Sequence, residues 1–248
     1  MGFRVSNISA DDPADSFPDP REAGIALGYP DGLVAIGGDL STERLLAAYR
    51  RGIFPWYNED QPILWWSPDP RAVIRPGAFH MSRSLARELR RGHWRYSVNQ
   101  DFRAVIDACA TSRGDCGTWI TVEMNTAFNT LHQAGYAHSI ESWLDGELAG
   151  GLYGVRLGQV FFAESMYSAC TSGSKVALSA LIWLAREDDI RLIDCQFESE
   201  HLATFGMELI SRSDFLDQLP GLTAAASPLP DWSRLPAEAA ELAALRSV

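Results

Sequence analysis

Two short stretches carry polar side chains where the pattern calls for apolar ones. Phe161-Phe-Ala-Glu-Ser-Met-Tyr-Ser168 starts as a strand apolar enough for a core and then presents Glu164 and Ser165. Leu192-Ile-Asp-Cys-Gln196 puts Asp194 inside a second such strand. A carboxylate at the end of a buried strand must find partners or bear the cost of desolvation. The strand ends of helix-flanked sheets are also where active sites collect. Two readings stand for each acid: Glu164 is an exposed strand end or a group facing a substrate, and Asp194 is a helix cap or part of a site. A third stretch, Arg71 to Arg95, holds seven arginines and one acid, Glu88, in a chain of net charge −11. Such a patch is either a solvated helix face or a local contact for phosphates.

Other chemistries are excluded by what is missing. No G-x-x-x-x-G-K-[ST], H-E-x-x-H or G-x-S-x-G occurs, which removes P-loop, zincin and hydrolase-elbow chemistry. The sole match to an acetyl-coenzyme A loop, Arg21-Glu-Ala-Gly-Ile-Ala26, does not lead from a core strand into a capped helix. The five histidines show no H-x-x-x-H spacing, and Cys109, Cys116, Cys170 and Cys195 form no C-x-x-C pair. Neither a metal site nor a disulfide framework is expected. With 46% hydrophobic and 21% charged residues the chain is globular. It has no apolar run of membrane length and no secretory h-region at its start, so a cytoplasmic, membrane-free protein is expected.

The elements that must position these residues follow from period and punctuation. Residues 1–69 read as a small turn-rich unit, punctuated by Pro13, Pro18, Pro20, Gly24, Gly28, Pro30 and Gly32. It contains a strand or tight loop over Gly32–Gly38 and a helix capped by Ser41 and ended by Gly52. An aromatic stretch from Phe54 to Trp66 reads as packed loop. Residues 70–222 alternate strands (72–74, 94–98, 137–144, 148–157, 159–165, 191–197) with helices (82–91, 102–110, 123–134, 175–186), and a short helix or turn leads into a strand over 202–210. Asp145-Gly146 and Leu157-Gly158 are hairpin turns. The fold class is α+β, a mixed sheet flanked by helices. Residues 223–248 form an Ala- and Pro-rich tail, loosely held, with a weak helix from Ala237 to Leu245.

The chain resembles the leucyl/phenylalanyl-tRNA–protein transferase family. The resemblance rests on Gly32-Leu-Val-Ala-Ile-Gly-Gly-Asp-Leu-Ser41, Ala48-Tyr-Arg-Arg-Gly-Ile-Phe-Pro-Trp56, Ile63-Leu-Trp-Trp-Ser-Pro-Asp-Pro-Arg-Ala-Val73, Gly117-Thr-Trp-Ile120, Ala137-His-Ser-Ile-Glu141, Gly150-Gly-Leu-Tyr-Gly-Val155, Glu164-Ser-Met-Tyr-Ser168, Ser174-Lys175 and Leu192-Ile-Asp-Cys-Gln196, in the expected order over about residues 17–215. It implies an acetyltransferase-like (GNAT-like) larger domain that binds no coenzyme A. It also implies transfer of Leu, Phe or Met from aminoacyl-tRNA to the N-terminal Arg or Lys of an acceptor protein, which creates a degradation signal. By the same resemblance, Asp194 and Gln196 orient the attacking amine and relay its proton, and Glu164 contacts the substrates. Tyr49, Trp56 and Trp119 surround the 3′ adenosine and the pocket mouth. Met166, Phe161 and Leu152, on or near the strand meander, are candidates to line the aminoacyl pocket, with plain core the other reading for Phe161 and Leu152, and Ser168 is placed with them. Arg71, Arg83, Arg87, Arg90 and Arg91 contact tRNA phosphates. No cofactor and a monomer are expected.

Overall fold

The computed structural model describes residues 6–23, 31–112, 118–224 and 238–246. Gly24, Gly28, Pro30, Cys116, Gly117, the second half of the acetyl-coenzyme A loop match and the stretch 225–237 lie outside the described residues. A small sheet holds β1 (Ser6–Ile8), β2 (Leu33–Gly37), β3 (Phe54–Pro55) and β4 (Leu64–Trp66) in the order β1-β2-β4-β3. Helix α1 (Thr42–Arg50) follows β2, and the Ser41 side chain accepts from the Arg44 N–H at 3.4 Å. The aromatic stretch expected as loop is therefore partly paired: β3 and β4 lie antiparallel with Phe54 opposite Trp66, and β4 also pairs β2. Strands of two and three residues are too short to show a period; their pairing comes from neighbours. Two indoles help to pin them, Trp65 donating to the Gly37 carbonyl at 2.8 Å and Trp66 to the Trp56 carbonyl at 2.7 Å.

The large sheet contains β5 (Arg71–Ile74), β6 (Trp94–Val98), β7 (Ala137–Leu144), β8 (Glu147–Leu157), β9 (Val160–Ser168), β10 (Leu192–Gln196) and β11 (Met207–Ile210), in the order β11-β5-β10-β9-β8-β7-β6. β9 and β10 run parallel, joined through α5 (Gly173–Glu187), and the other neighbours are antiparallel. The remaining helices are α2 (Arg83–Leu89), α3 (Phe102–Thr111), α4 (Val122–Gln133), α6 (Glu200–Ala203) and α7 (Arg212–Thr223). Period two sorts the strands: Val73, Phe162 and Leu192 join one apolar cluster, and Ile74, Phe161 and Ile193 join the other. The first cluster packs α1, α3, α4 and α7 and runs without a break into the small sheet through Phe17, Tyr49 and Trp65. The second packs α2, α5 and the last described turn, Ala239–Arg246. That turn corrects the expectation of a loosely held tail, for Ala239, Leu242, Ala243 and Leu245 are buried. Two other elements differ from expectation. β9 extends to Ser168, and α7, which holds Pro220 inside it, lies beyond the elements expected from the sequence. Among the described residues no helix is long and apolar enough to cross a membrane.

The start of α5 lies directly on β8. A Cβ at Gly173 would stand 2.1 Å from the Ala149 carbonyl oxygen, and one at Gly150 2.5 Å from the Gly173 carbonyl carbon. The helix has no cap from Ser172, its own N-cap residue. Ser168 supplies one instead, its Oγ accepting from the Ser174 N–H at 2.7 Å and donating to Ser174 Oγ at 2.9 Å. Ser168 thus belongs to a helix terminus, not to a substrate pocket. Gly173→Ala forces backbone apart and should destabilise the fold by about 1–3 kcal/mol. A lower urea midpoint with an unchanged slope checks this.

Candidate functional site

β9 and β10 pair only as far as Phe162 and Asp194. Beyond that point the two parallel strands part, and each carries an irregularity. In β9 the register against β8 slips between Ser165 and Ala163, leaving Glu164 as the extra residue. In β10 the register against β5 slips between Asp194 and Gln196, leaving Cys195 extra, and Gln196 takes a left-handed conformation with φ +57°. Such backbone costs about 1–3 kcal/mol and persists where neighbours impose it. Bulges turn side chains away from the alternation of a regular strand. Here they deliver Glu164 and Gln196 to the opening between the strands.

Two cavities meet there. The first, about 230 Å³, is walled by Leu152, Met166, Leu178 and Ile193, with Glu164, Ser165, Gln196, Ser199 and His201 among its polar lining. The second, about 200 Å³, is aromatic, with Phe54, Trp56, Trp119 and Phe197. Glu164, Cys195 and Gln196 line both and form the partition between them. Ser165 Oγ and Gln196 Nε2 are buried without a hydrogen-bond partner among the described residues. Unpaired polar atoms of this kind are costly in a core, and at a cavity wall they are available to a ligand.

Glu164 Oε1 accepts from the Tyr49 hydroxyl at 2.7 Å. Burial pushes its pKa up to about 8; the Tyr49 hydrogen bond opposes this, the Asp194 charge adds to it, and Arg71 opposes it. At neutral pH the group is a protonated acid, which both donates and accepts. Burial and the adjacent Glu164 hold the Tyr49 hydroxyl well above its usual range. The Cys195 thiol is likewise pushed up by burial, so it is no thiolate nucleophile.

Asp194 lines neither cavity. It is fully buried, and Arg71, 1% exposed, grips it with Nε to Oδ1 at 2.7 Å and Nη2 to Oδ2 at 2.6 Å. Oδ1 also accepts from the Gln196 backbone N–H at 3.0 Å. Asp194 therefore reaches Gln196 through the main chain, not by polarising its side-chain amide.

Several expectations need correction. Arg71 is not on the surface and meets no phosphate. Tyr49 is fully buried with its ring 5.0 Å from Phe162; it holds Glu164 and offers no face for stacking. Phe161 is fully buried in the second cluster, against Gly154, and lines neither cavity. Leu152 and Met166 do line the first cavity, and Trp56 and Trp119 the second. Phe197, 40% exposed and 5.3 Å from the 41% exposed Trp56, was missed, as were Phe54, Leu178 and Ile193. Phe197 follows Gln196 directly, and an apolar residue beside a candidate site is its one sequence signal. Arg83 and Arg87 on α2 and Arg90 and Arg91 just after it are exposed.

Family models describe most of the chain. The model "Leucyl/phenylalanyl-tRNA protein transferase" matches residues 73–220 and that of its N-terminal domain residues 38–69. A leucyl/phenylalanyl-tRNA–protein transferase of Anaeromyxobacter sp. (strain Fw109-5) is 55% identical over 207 residues, covering 82% of this chain and 86% of the relative. One of Pseudomonas entomophila (strain L48) is 52% identical over 195 residues, covering 78% and 86%. Among solved structures, a GCN5-related N-acetyltransferase from Kribbella flavida aligns with TM-score 0.36 and 9% identity, over 67% of this chain and 60% of that one.

The raised pKa of Glu164 has a consequence for stability. Unfolded, the group titrates near 4.5; folded, near 8. Between these values the native state keeps a proton that the unfolded chain has released, so stability falls as pH rises through that window and levels off above it. Glu164→Gln removes the titration and keeps an acceptor for Tyr49. Urea denaturation of both proteins at about pH 5.5 and 8.5 should show a smaller loss in the variant. Equal losses would mean that Glu164 titrates as an ordinary carboxyl.

Proposed function

The chain belongs to the leucyl/phenylalanyl-tRNA–protein transferase family, and we propose that it moves Leu, Phe or Met from aminoacyl-tRNA to the N-terminal Arg or Lys of an acceptor protein, marking it for degradation. The observation that carries this reading is the pair of cavities on either side of Glu164 and Gln196. The apolar one, about 230 Å³, is small beside the roughly 300–1,000 Å³ of drug-sized ligand sites. It suits one unbranched-β apolar side chain, with Leu152, Met166, Leu178 and Ile193 as its walls. The aromatic one suits the 3′ adenosine, whose base stacks on rings such as Trp56 and Trp119. The scissile ester then lies at the partition.

An aminoacyl ester is already activated, so transfer needs placement more than a strong base. The acceptor nitrogen attacks the ester carbonyl, a C–N bond forms, the C–O bond to the ribose breaks, and the leaving 3′ oxygen gains a proton. An α-amino group has a pKa of about 8, so part of it is neutral near pH 7. The Gln196 side-chain oxygen accepts a hydrogen bond from that amine and points its lone pair at the carbonyl. Asp194 takes no proton itself; it holds Gln196. Neutral Glu164 donates to or accepts from the substrates at the partition. The exposed arginines 83, 87, 90 and 91 contact the tRNA backbone. In this division residues 1–69 supply the aromatic wall through Phe54 and Trp56, residues 70–222 supply the partition and the apolar cavity, and, within the tail 223–248, the turn Ala239–Arg246 braces α2. The reaction runs in the cytoplasm, on one copy of the chain, without a cofactor.

The test is transfer of radiolabelled leucine from leucyl-tRNA to an Arg-started peptide. Gln196→Ala should lower kcat about 100-fold or more with tRNA binding nearly intact. Near-normal kcat would leave catalysis to ester reactivity alone. Separately, Arg83→Ala with Arg87→Ala should reduce the slope of log K against log salt for tRNA binding by about one unit per lost contact. An unchanged slope would make α2 a solvated face.

A further inference from the structure

We propose that Arg71, buried and out of reach of any substrate, is a positioning residue for the transfer step: through Asp194 it sets where the Gln196 amide stands, and through Gly52 and Phe54 it sets the aromatic wall that faces that amide. The inference rests on the role given to Gln196 above.

One guanidinium meets four segments. Nε and Nη2 grip Asp194 on β10, and Nη1 donates to the Gly52 carbonyl at 3.2 Å, at the turn after α1. Its faces are covered by Phe54 of β3, with the ring centre at 4.9 Å, and Phe215 of α7, at 4.5 Å. The contact with Asp194 is bidentate, which fixes direction as well as distance. Each carboxylate oxygen receives an arginine N–H, so the side chain has one orientation, and in that orientation Oδ1 also receives the Gln196 N–H.

That last bond decides where Gln196 goes. In an unbroken strand Gln196 would share the face of Asp194, because side chains alternate. Ile193 and Cys195 border the first cavity, and Asp194 does not. The extra residue and the left-handed turn at Gln196 bring its amide round to the cavity side with Cys195. Loosen the carboxylate and the turn loses its anchor. The same guanidinium holds Gly52 and Phe54, which begin the wall continuing to Trp56. Amide and wall are therefore placed by one group. Lysine does not substitute: it keeps a charge but lacks the planar fork and the stacking faces.

The experiment compares Arg71→Lys, Gln196→Ala and the double variant in the leucyl-transfer assay, each first shown to be folded by its thermal melt. Arg71→Lys should lower kcat about tenfold or more while KM for leucyl-tRNA moves less than about threefold, and the double variant should be no slower than the slower single one. The salt slope of tRNA binding should equal that of the parent protein. A folded Arg71→Lys with kcat within about twofold of the parent overturns the proposal, as do losses that multiply in the double variant. A salt slope reduced by about one unit would return Arg71 to the phosphates and overturn it too. If Gln196→Ala alone is fully active, the role of Gln196 fails and the proposal falls with it. Normal Arg71→Lys beside a slow Gln196→Ala removes only the role of Arg71. Should Arg71→Lys not fold, Phe215→Leu decides, since it uncovers one face of the guanidinium and keeps its charge. A fall in kcat of about threefold or more at unchanged KM supports the proposal, and an unaltered kcat overturns it.

Discussion

A single buried ion pair holds together the parts that make this site. Arg71 and Asp194 are both shut off from solvent, and removing one member of such a pair leaves an uncompensated charge that costs about 3–5 kcal/mol. The pair is tolerable because each of its nitrogens and carboxylate oxygens has a hydrogen-bond partner: the carboxylate has two arginine N–H groups and one backbone N–H, and the guanidinium has that carboxylate, a carbonyl and two aromatic rings against it. Those partners come from the small sheet, the turn after α1, the large sheet and α7. The pair therefore fastens both sheets together at the point where β9 and β10 separate.

The separation of β9 from β10 is what creates room for chemistry. A regular parallel pair would keep bonding to its ends and close the gap. Two bulges, at Glu164 and Cys195, and one left-handed residue, Gln196, stop the ladder after Phe162 and Asp194. The groups at the partition itself are weak ones: a neutral acid, an un-ionised thiol and an amide. That composition suits a substrate that arrives activated and needs to be aligned. Tyr49 keeps Glu164 in place from the small-sheet side, so the partition, like the ion pair, is built by both halves of the molecule.

Arginine serves two opposite purposes within twenty residues of chain. Arg71 has its charge cancelled inside the core, whereas Arg83, Arg87, Arg90 and Arg91 keep theirs in solvent on an otherwise acidic protein. The guanidinium's weak hydration and fixed fork permit the first use, and its permanent charge the second.

Much of this was legible in the residues. The β7–β8–β9 meander, α4 and α5 follow from period, caps and hairpin turns, because those signals are local. Polar residues at the ends of apolar strands singled out Glu164 and Asp194, and the family motifs added Gln196. What the one-dimensional pattern leaves open is which neighbour each residue meets. Charge alone puts Arg71 with the other arginines; only the packing of β5 against β10 buries it against Asp194. Tyr49 reads as a stacking ring until α1 docks on β9 and its hydroxyl meets Glu164. Phe161 and Leu152 read alike, yet only Leu152 reaches a cavity. Ser168 reads as site and caps α5. The strands β3 and β4 and the helix α7 are too short or too broken by Pro and Gly to announce themselves. The reason is common to all: period and capping act within a few residues, while register slips at bulges and the docking of one sheet on another are set by contacts made far along the chain. Those contacts decide which side of a strand becomes core and which becomes site.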